Sequence, residues 1–220
     1  MIRAVLFDLD GTLLNTVDSM AEAGTLMLRD LGLRPRKKEE YRYFAGDGAD
    51  MLVRRALMAA GDETCALYPK ARKLYLEYFA KTCTHGVAPY PGVLQLLGGL
   101  KERGLKLAVL SNKPHAQTEE VVRAYFAEDT FCFIQGQVEG VPRKPDPAGA
   151  LLLARRMGTK PGECFYLGDT AVDMRTACGA GMIPLGALWG FRTREELIQG
   201  GAAHLLAAPE DMLSLLTMIG

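Results

Sequence analysis

The sequence predicts an α/β protein: a doubly wound parallel sheet with an inserted all-helical cap. Short, fully apolar runs alternate with helical stripes, and one long stretch contains stripes but no such run. The first run is Ala4–Phe7, closed at once by Asp8-Leu9-Asp10-Gly11. A continuous apolar tetrapeptide that ends in a turn is the pattern of a strand buried on both faces. Similar runs lie at residues 107–110, 131–134, 164–167 and 182–185, with a weaker sixth at 204–206. Between them Val93, Leu96, Leu97 and Leu100 recur at helical spacing, and Met174, Ala177 and Cys178 start another stripe. Strands alternating with helices imply a parallel sheet. The binding crevice of such a sheet lies outside the carboxyl ends of its strands, so the chemistry is sought in the residues that follow each run.

Residues 16–84 break the alternation. Met20, Ala23, Met27, Leu28 and Leu31 form one stripe, and Ala49, Leu52, Val53, Ala56, Leu57 and Ala60 a second. Leu67, Ala71, Leu74, Tyr75 and Tyr78 form a third. The expected division is therefore a core made of residues 1–14 and 88–220 and a helical cap of residues 15–87. The segment 86–92, with Pro89 and Pro91, returns the chain to the sheet and is a plausible hinge.

The chain has 220 residues, 49% of them apolar, enough for a core without covalent staples. Lys plus Arg (26) balances Asp plus Glu (26), so no bulk charge points to nucleic acid or to a membrane surface. Five cysteines, an odd number with no C-x-x-C pair, argue against a disulfide framework and a zinc site. The expectation is a cytoplasmic protein without a signal peptide, because the apolar run after Met-Ile-Arg is too short for one.

Taken in order, the strand ends read Asp8-Leu9-Asp10-Gly11-Thr12-Leu13, Ser111-Asn112, Lys144-Pro145 and Gly168-Asp169-Thr170-Ala171-Val172-Asp173. Carboxylates, a hydroxyl and an ammonium would converge on one crevice. Each set alone is a common structural feature; the ordered conjunction is specific.

In this conjunction the chain resembles the haloacid dehalogenase-like phosphatases, over nearly its whole length. Their four motifs match Asp8-x-Asp10-Gly11-Thr12, Ser111, Lys144 and Gly168-Asp169-x-x-x-Asp173. Within them it is most similar to phosphoglycolate phosphatases, through the helical cap after the first motif, Gly46-Asp47-Gly48-Ala49-Asp50 inside it, and Ser111-Asn112-Lys113-Pro114. The resemblance implies a phosphatase of a small phosphorylated metabolite, 2-phosphoglycolate first, working as a monomer or homodimer.

The chemistry asks for these groups. Hydrolysis of phosphate monoesters is among the slowest uncatalysed reactions, and the charge on the transferring group must be neutralised. Mg²⁺, a hard cation, would be held by the side chains of Asp8 and Asp169 and the backbone carbonyl of Asp10. Lys144 would add a compact positive charge. Asp8 would be the nucleophile, forming an aspartyl-phosphate. Asp10 would be the acid for the leaving alcohol and then the base for water, its protonation favoured by neighbouring carboxylates. Amides around Gly11 and Thr12, the Ser111 hydroxyl and Asn112 would hold phosphoryl oxygens. Asp173, one helical turn after Asp169, would orient Lys144 or a metal-bound water without itself touching the ion.

Plainer readings are set beside these. His85, His115 and His204 are scattered and read as structural or solvated. Cys132, Cys164 and Cys178 read as small hydrophobes in the core. Arg34, Arg36, Lys37 and Lys38, followed by two glutamates, read as a solvated face. Residues 46–50 read either as a turn and helix start, with Asp47 or Asp50 favouring the dipole, or as a specificity loop over the site. Arg54 and Arg55 read as an exposed face or as partners of a substrate carboxylate. Alternatives within the family are a phosphatase of pyrophosphate, a phosphosugar or a nucleotide, and a phosphosugar mutase that uses Asp8 and Asp10 but returns the phosphoryl group. A dehalogenase has no use for an acid at position 10, and a non-catalytic phospho-switch none for the full set.

Overall fold

The structure, a computed structural model, describes residues 1–219; Gly220, the last residue of the expected core segment, lies outside the described residues. The strands are β1 (Ala4–Phe7), β2 (Leu14–Asn15), β3 (Ala88–Pro89), β4 (Lys106–Pro114), β5 (Phe133–Gln137), β6 (Cys164–Gly168), β7 (Ile183–Ala187) and β8 (His204–Leu206). The helices are α1 (Val17–Asp30), α2 (Tyr41–Phe44), α3 (Ala49–Ala59), α4 (Tyr68–Thr82), α5 (Val93–Glu102), α6 (His115–Tyr125), α7 (Ala148–Arg156), α8 (Ala171–Ala180), α9 (Arg194–Gly200) and α10 (Asp211–Ile219).

Six strands form one sheet in the order β5-β4-β1-β6-β7-β8, all neighbours parallel. The chain lays down strands outward from β1 to β5, then returns to the other side of β1 and continues to β8. That reversal opens a crevice at the carboxyl ends of β1 and β6, where a doubly wound sheet binds its ligands. All four residues of β1 are fully buried, as expected of a central strand covered on both faces. One apolar cluster, including Val5, Phe7, Val109 and Phe165, lies on one side of the sheet, and another, including Leu6, Tyr166, Leu153 and Met157, on the other.

From Val17 to Thr82 the regular structure is helical, with α1, α3 and α4 packed around Met27, Leu28, Leu57 and Tyr75. The residues on either side of this block form a small antiparallel ribbon, Leu14 opposite Pro89 and Asn15 opposite Ala88. No strand was expected there. Two-residue strands carry no periodicity, so the sequence could show only the prolines. The α4 stripe also shifts phase: Ala71, Tyr75 and Phe79 are buried, while Leu67 is exposed and Tyr78 half-buried.

Other boundaries move for visible reasons. Phe131 is spent on an aromatic cluster with Phe7 and Phe126, so β5 starts at Phe133. β4 continues past Leu110 through an irregularity in its pairing with β5, placing Ser111, Asn112 and Lys113 inside the strand rather than beyond it. Cys164 is buried as expected, whereas Cys132 and Cys178 are exposed: one precedes β5 and the other sits on the outer side of α8. No helix among the described residues is long and apolar enough to cross a membrane.

Candidate active site

The register of β1 against β6 pairs Phe7 with Leu167, which brings Asp8 level with Gly168 and sets Asp169 just beyond. Ser111 and Lys113 come from the end of β4, and Lys144 from the loop before α7. These groups, far apart in sequence, meet at one end of the sheet.

Lys144 is at its centre. Its Nζ lies 2.8 Å from Asp8 Oδ1 and 2.7 Å from Asp173 Oδ1, with Lys144, Asp8 and Asp173 all nearly excluded from solvent. Asp173 is fixed from its other side, where Oδ2 accepts the Thr170 hydroxyl at 2.7 Å and the Thr170 amide at 3.1 Å. Asp8 Oδ1 also accepts the Leu9 amide at 2.7 Å. Asp169 accepts the Phe191 amide on Oδ2 at 2.7 Å and the Thr12 hydroxyl on Oδ1 at 3.1 Å.

Oxygens of Asp8, Asp169 and Asp173 lie within 4.8 Å of one another. One ammonium among three buried carboxylates leaves two negative charges uncompensated, the charge a divalent cation carries. The donor set is all oxygen and hard, which suits Mg²⁺. The same crowding shapes the titration. Burial first, then Asp173, Asp169 and Asp10, hold the Asp8 carboxyl well above the usual carboxylate range against the pull of Lys144. Burial and then Asp173 raise the Asp169 carboxyl to about 7. Burial opposes the charge of Lys144, but Asp173 and Asp8 outweigh it and raise its pKa well above that of an ordinary lysine.

The space above Asp8 is a cavity of about 40 Å³ lined from the core by Asp8, Asp10, Ser111, Lys113 and Lys144 and from the helical block by Met20, Leu52, Tyr75 and Phe79. Gly46 and Gly48 also border it, so the 46–50 segment lies over the site.

Three expectations change in detail. The Gly11 and Thr12 amides, expected to face a phosphoryl group, donate within the turn instead, to Leu14 O at 2.9 Å and Leu9 O at 3.4 Å. In this structure both residues hold Asp169: Thr12 through its hydroxyl, and Gly11 by lacking a side chain. Gly11 has φ +85°, and a Cβ there would sit 2.2 Å from Asp169 Oδ2. Asn112 spends its amide on backbone, donating to Gly46 O at 3.1 Å and Lys144 O at 3.0 Å and accepting the Lys144 amide at 3.0 Å. It braces the 46–50 segment against the Lys144 loop. Beside Asp10 stands a cation rather than another carboxylate, with Lys113 Nζ 2.6 Å from Oδ1.

Arg54 and Arg55 are not free for a ligand: Arg54 covers the Tyr68 ring, and Arg55 donates to Asp47 and to Phe44 O. Asp50, in the first turn of α3, bonds Arg143 of the core and Arg72 of α4, and its carboxyl titrates at about 2. His85 pairs with Glu22 at the surface, His115 accepts the Gly136 amide, and His204 is exposed, so none enters the cavity. Arg36 and Lys38 pair with Glu40 and Asp18 on a solvated face.

Sequence reasoning gave Lys113 no role beyond its place in the Ser111-Asn112-Lys113-Pro114 motif, and it missed the loop 189–192. In that loop Phe191 donates to Asp169, Trp189 Nε1 donates to Thr12 O at 2.9 Å, and Arg192 donates to the carbonyls of Arg42 and Ala45 in the helical block. The signal was available, because the loop directly follows a predicted strand on the carboxyl side of the sheet.

The chain is similar to known proteins in sequence and in fold. Residues 5–187 match a family model described as haloacid dehalogenase-like hydrolase. The phosphoglycolate phosphatase of Pseudomonas putida is 34% identical over 192 residues, 86% of this chain and 70% of that protein. That of Rhodospirillum rubrum is 32% identical over 227 residues, spanning 100% of this chain and 92% of its own. A crystal structure from Lactobacillus delbrueckii subsp. bulgaricus superposes with TM-score 0.90 at 28% identity, covering 97% of this chain and 98% of that one. CbbY from Rhodobacter sphaeroides, solved in complex with phosphate, superposes with TM-score 0.80 at 27% identity over 96% of each chain.

Proposed function

The chain belongs to the haloacid dehalogenase-like hydrolases and is a phosphoric monoester hydrolase, and from that premise we propose that it converts 2-phosphoglycolate to glycolate and phosphate through a phosphorylated Asp8. The observation that carries the reading is the buried meeting of Asp8 with Lys144, Asp169 and Asp173 at the sheet's switch point. The phosphoglycolate phosphatases among the relatives favour 2-phosphoglycolate over a sugar or nucleotide.

Mg²⁺ would be held by Asp8 and Asp169 with the Asp10 carbonyl; when bound it would screen the charge of the phosphate and of Asp8. Asp173 spends its oxygens on Lys144 and Thr170, which suits a supporting role beside the ion. Asp8 attacks phosphorus as the ester bond breaks, and the Asp10 carboxyl gives its proton to the departing glycolate oxygen. Asp10 then takes a proton from the water that cleaves the aspartyl-phosphate, restoring both residues. Lys144 stays against Asp8 throughout and offers its remaining N–H to a phosphoryl oxygen, with the Ser111 hydroxyl at another. Residues 15–87 act as the cap, excluding water while the acyl phosphate exists. The free thiols fit a cytoplasmic location.

Phosphate release from 2-phosphoglycolate, pyrophosphate, phosphosugars and nucleotides, assayed with Mg²⁺, tests the reading. It predicts 2-phosphoglycolate among the best by kcat/KM. A place among the poorest would contradict the substrate.

A further inference from the structure

Lys113 is a buried cation that the reaction on Asp8 does not use. It stands two residues after Ser111 on β4, and both residues line the cavity above Asp8. Its side chain is 2% exposed, with Nζ 2.6 Å from Asp10 Oδ1 and 5.0 Å from the centre of the Phe79 ring on α4. An ammonium carries three N–H donors, and Asp10 is the only hydrogen-bonding acceptor found for this one among the described residues. The remaining N–H donors are available to a ligand in the cavity that Lys113 lines.

Among the described residues, Lys113 and Lys144 are the basic ones that line the cavity, and Lys144 is committed to Asp8 and Asp173. Arg54, Arg55, Arg72 and Arg143 are engaged by Tyr68, Asp47 and Asp50. Asp10 marks the position of the leaving oxygen. A carboxylate one carbon beyond that oxygen falls beside the ammonium that already touches Asp10. The walls there, Met20, Leu52, Tyr75 and Phe79, offer few competing polar groups, so the attraction is weakly screened.

We propose that Lys113 anchors a carboxylate on the leaving group, so that the site selects phosphate esters of short α-hydroxy acids over esters of uncharged alcohols. This rests on the reading of Asp8 and Asp10 given above and adds the feature of the substrate that is recognised.

The test compares 2-phosphoglycolate with ethyl phosphate, a two-carbon ester without the carboxylate, by steady-state phosphate release with Mg²⁺. In the unmodified enzyme kcat/KM should favour 2-phosphoglycolate by roughly 10- to 100-fold, the worth of a charge-assisted hydrogen bond. Lys113→Met should erase most of that preference, chiefly through a higher KM for 2-phosphoglycolate, and Lys113→Arg should keep part of it. Equal losses on both esters would assign Lys113 to Asp10 or to the fold and overturn the proposal. Parity of the two esters in the unmodified enzyme would overturn it without any variant, while leaving the phosphatase reading intact. Release from neither ester would remove that reading and the anchor together.

Discussion

At the carboxyl edge of the sheet Asp8, Lys144, Asp169 and Asp173 are each no more than 6% exposed, whereas along the seam to the helical block Asp50, Arg143 and Arg72 keep between 23% and 50% of their side chains in solvent. Both are clusters of opposite charge, and they obey different physics. The edge cluster is desolvated and carries an excess of negative charge, so it is costly to fold and held only because hydrogen bonds from Thr170, Leu9, Thr12 and Phe191 fix every carboxylate. The seam cluster is partly exposed and carries one positive charge in excess, and its pairs hold at little cost or gain. The first concentrates charge where a charged ligand would meet it, and the second joins the helical block to the core through exposed pairs.

Replacing the nucleophile is the strongest way to probe the edge. Asp8→Asn keeps the shape and removes the attacking oxygen anion, and kcat should fall by on the order of 10⁴-fold or more in a phosphate-release assay. Asp10→Asn should cost roughly 10²- to 10⁴-fold and alter the pH–rate profile, because a proton donor and acceptor is lost. An unchanged profile would remove Asp10 from the acid–base role.

Asp169→Asn separates function from stability. In the fold this carboxyl titrates at about 7, against 3.8 for an ordinary aspartate. The folded state therefore holds a proton that the unfolded chain has released, and metal-free protein loses stability as pH rises from about 4 through about 7. The variant removes that penalty. Without Mg²⁺ it should melt several degrees higher than the unmodified protein at alkaline pH, with the gap closing in acid, and Mg²⁺ should no longer raise its Tm. A lower Tm than the unmodified protein at alkaline pH would mean that the edge is not strained by its charge.

The seam should respond least. Arg143→Met removes a partner of Asp50 that is 38% exposed; stability should change by about 1 kcal/mol or less. The measurable effect is on cycling, a several-fold change in kcat/KM that shrinks with added salt in the unmodified enzyme.

The same contrast governs what could be read in advance. The edge was legible because Asp8, Ser111 and Asp169 closely follow apolar runs, and buried strands leave a strong signal; Lys144, in the loop before α7, and Asp173, inside α8, were legible through the ordered motifs, and the five do converge. The partners of those residues were less legible. Nothing in Gly11-Thr12 says whether its amides face a ligand or close a turn, and nothing in Arg54-Arg55 says that Tyr68 and Asp47 occupy them. The role of Lys113 was hidden because β4 runs four residues beyond its apolar core, to Pro114, so a residue expected past the strand is in fact inside it. Tyr75 read as core because helical spacing marks a buried face without saying whether it covers other side chains or a cavity, and Phe79 lay outside the expected stripe.

Transfer of the phosphoryl group to Asp8 is tested most directly by trapping it. Asp10→Asn protein mixed with an aryl phosphate and Mg²⁺, quenched in acid and digested, should yield the peptide containing Asp8 heavier by one phosphoryl group, since the leaving group needs no proton and the second step lacks its base. Phosphate release continuing while that peptide stays unmodified, or the group found on another residue, would contradict the account.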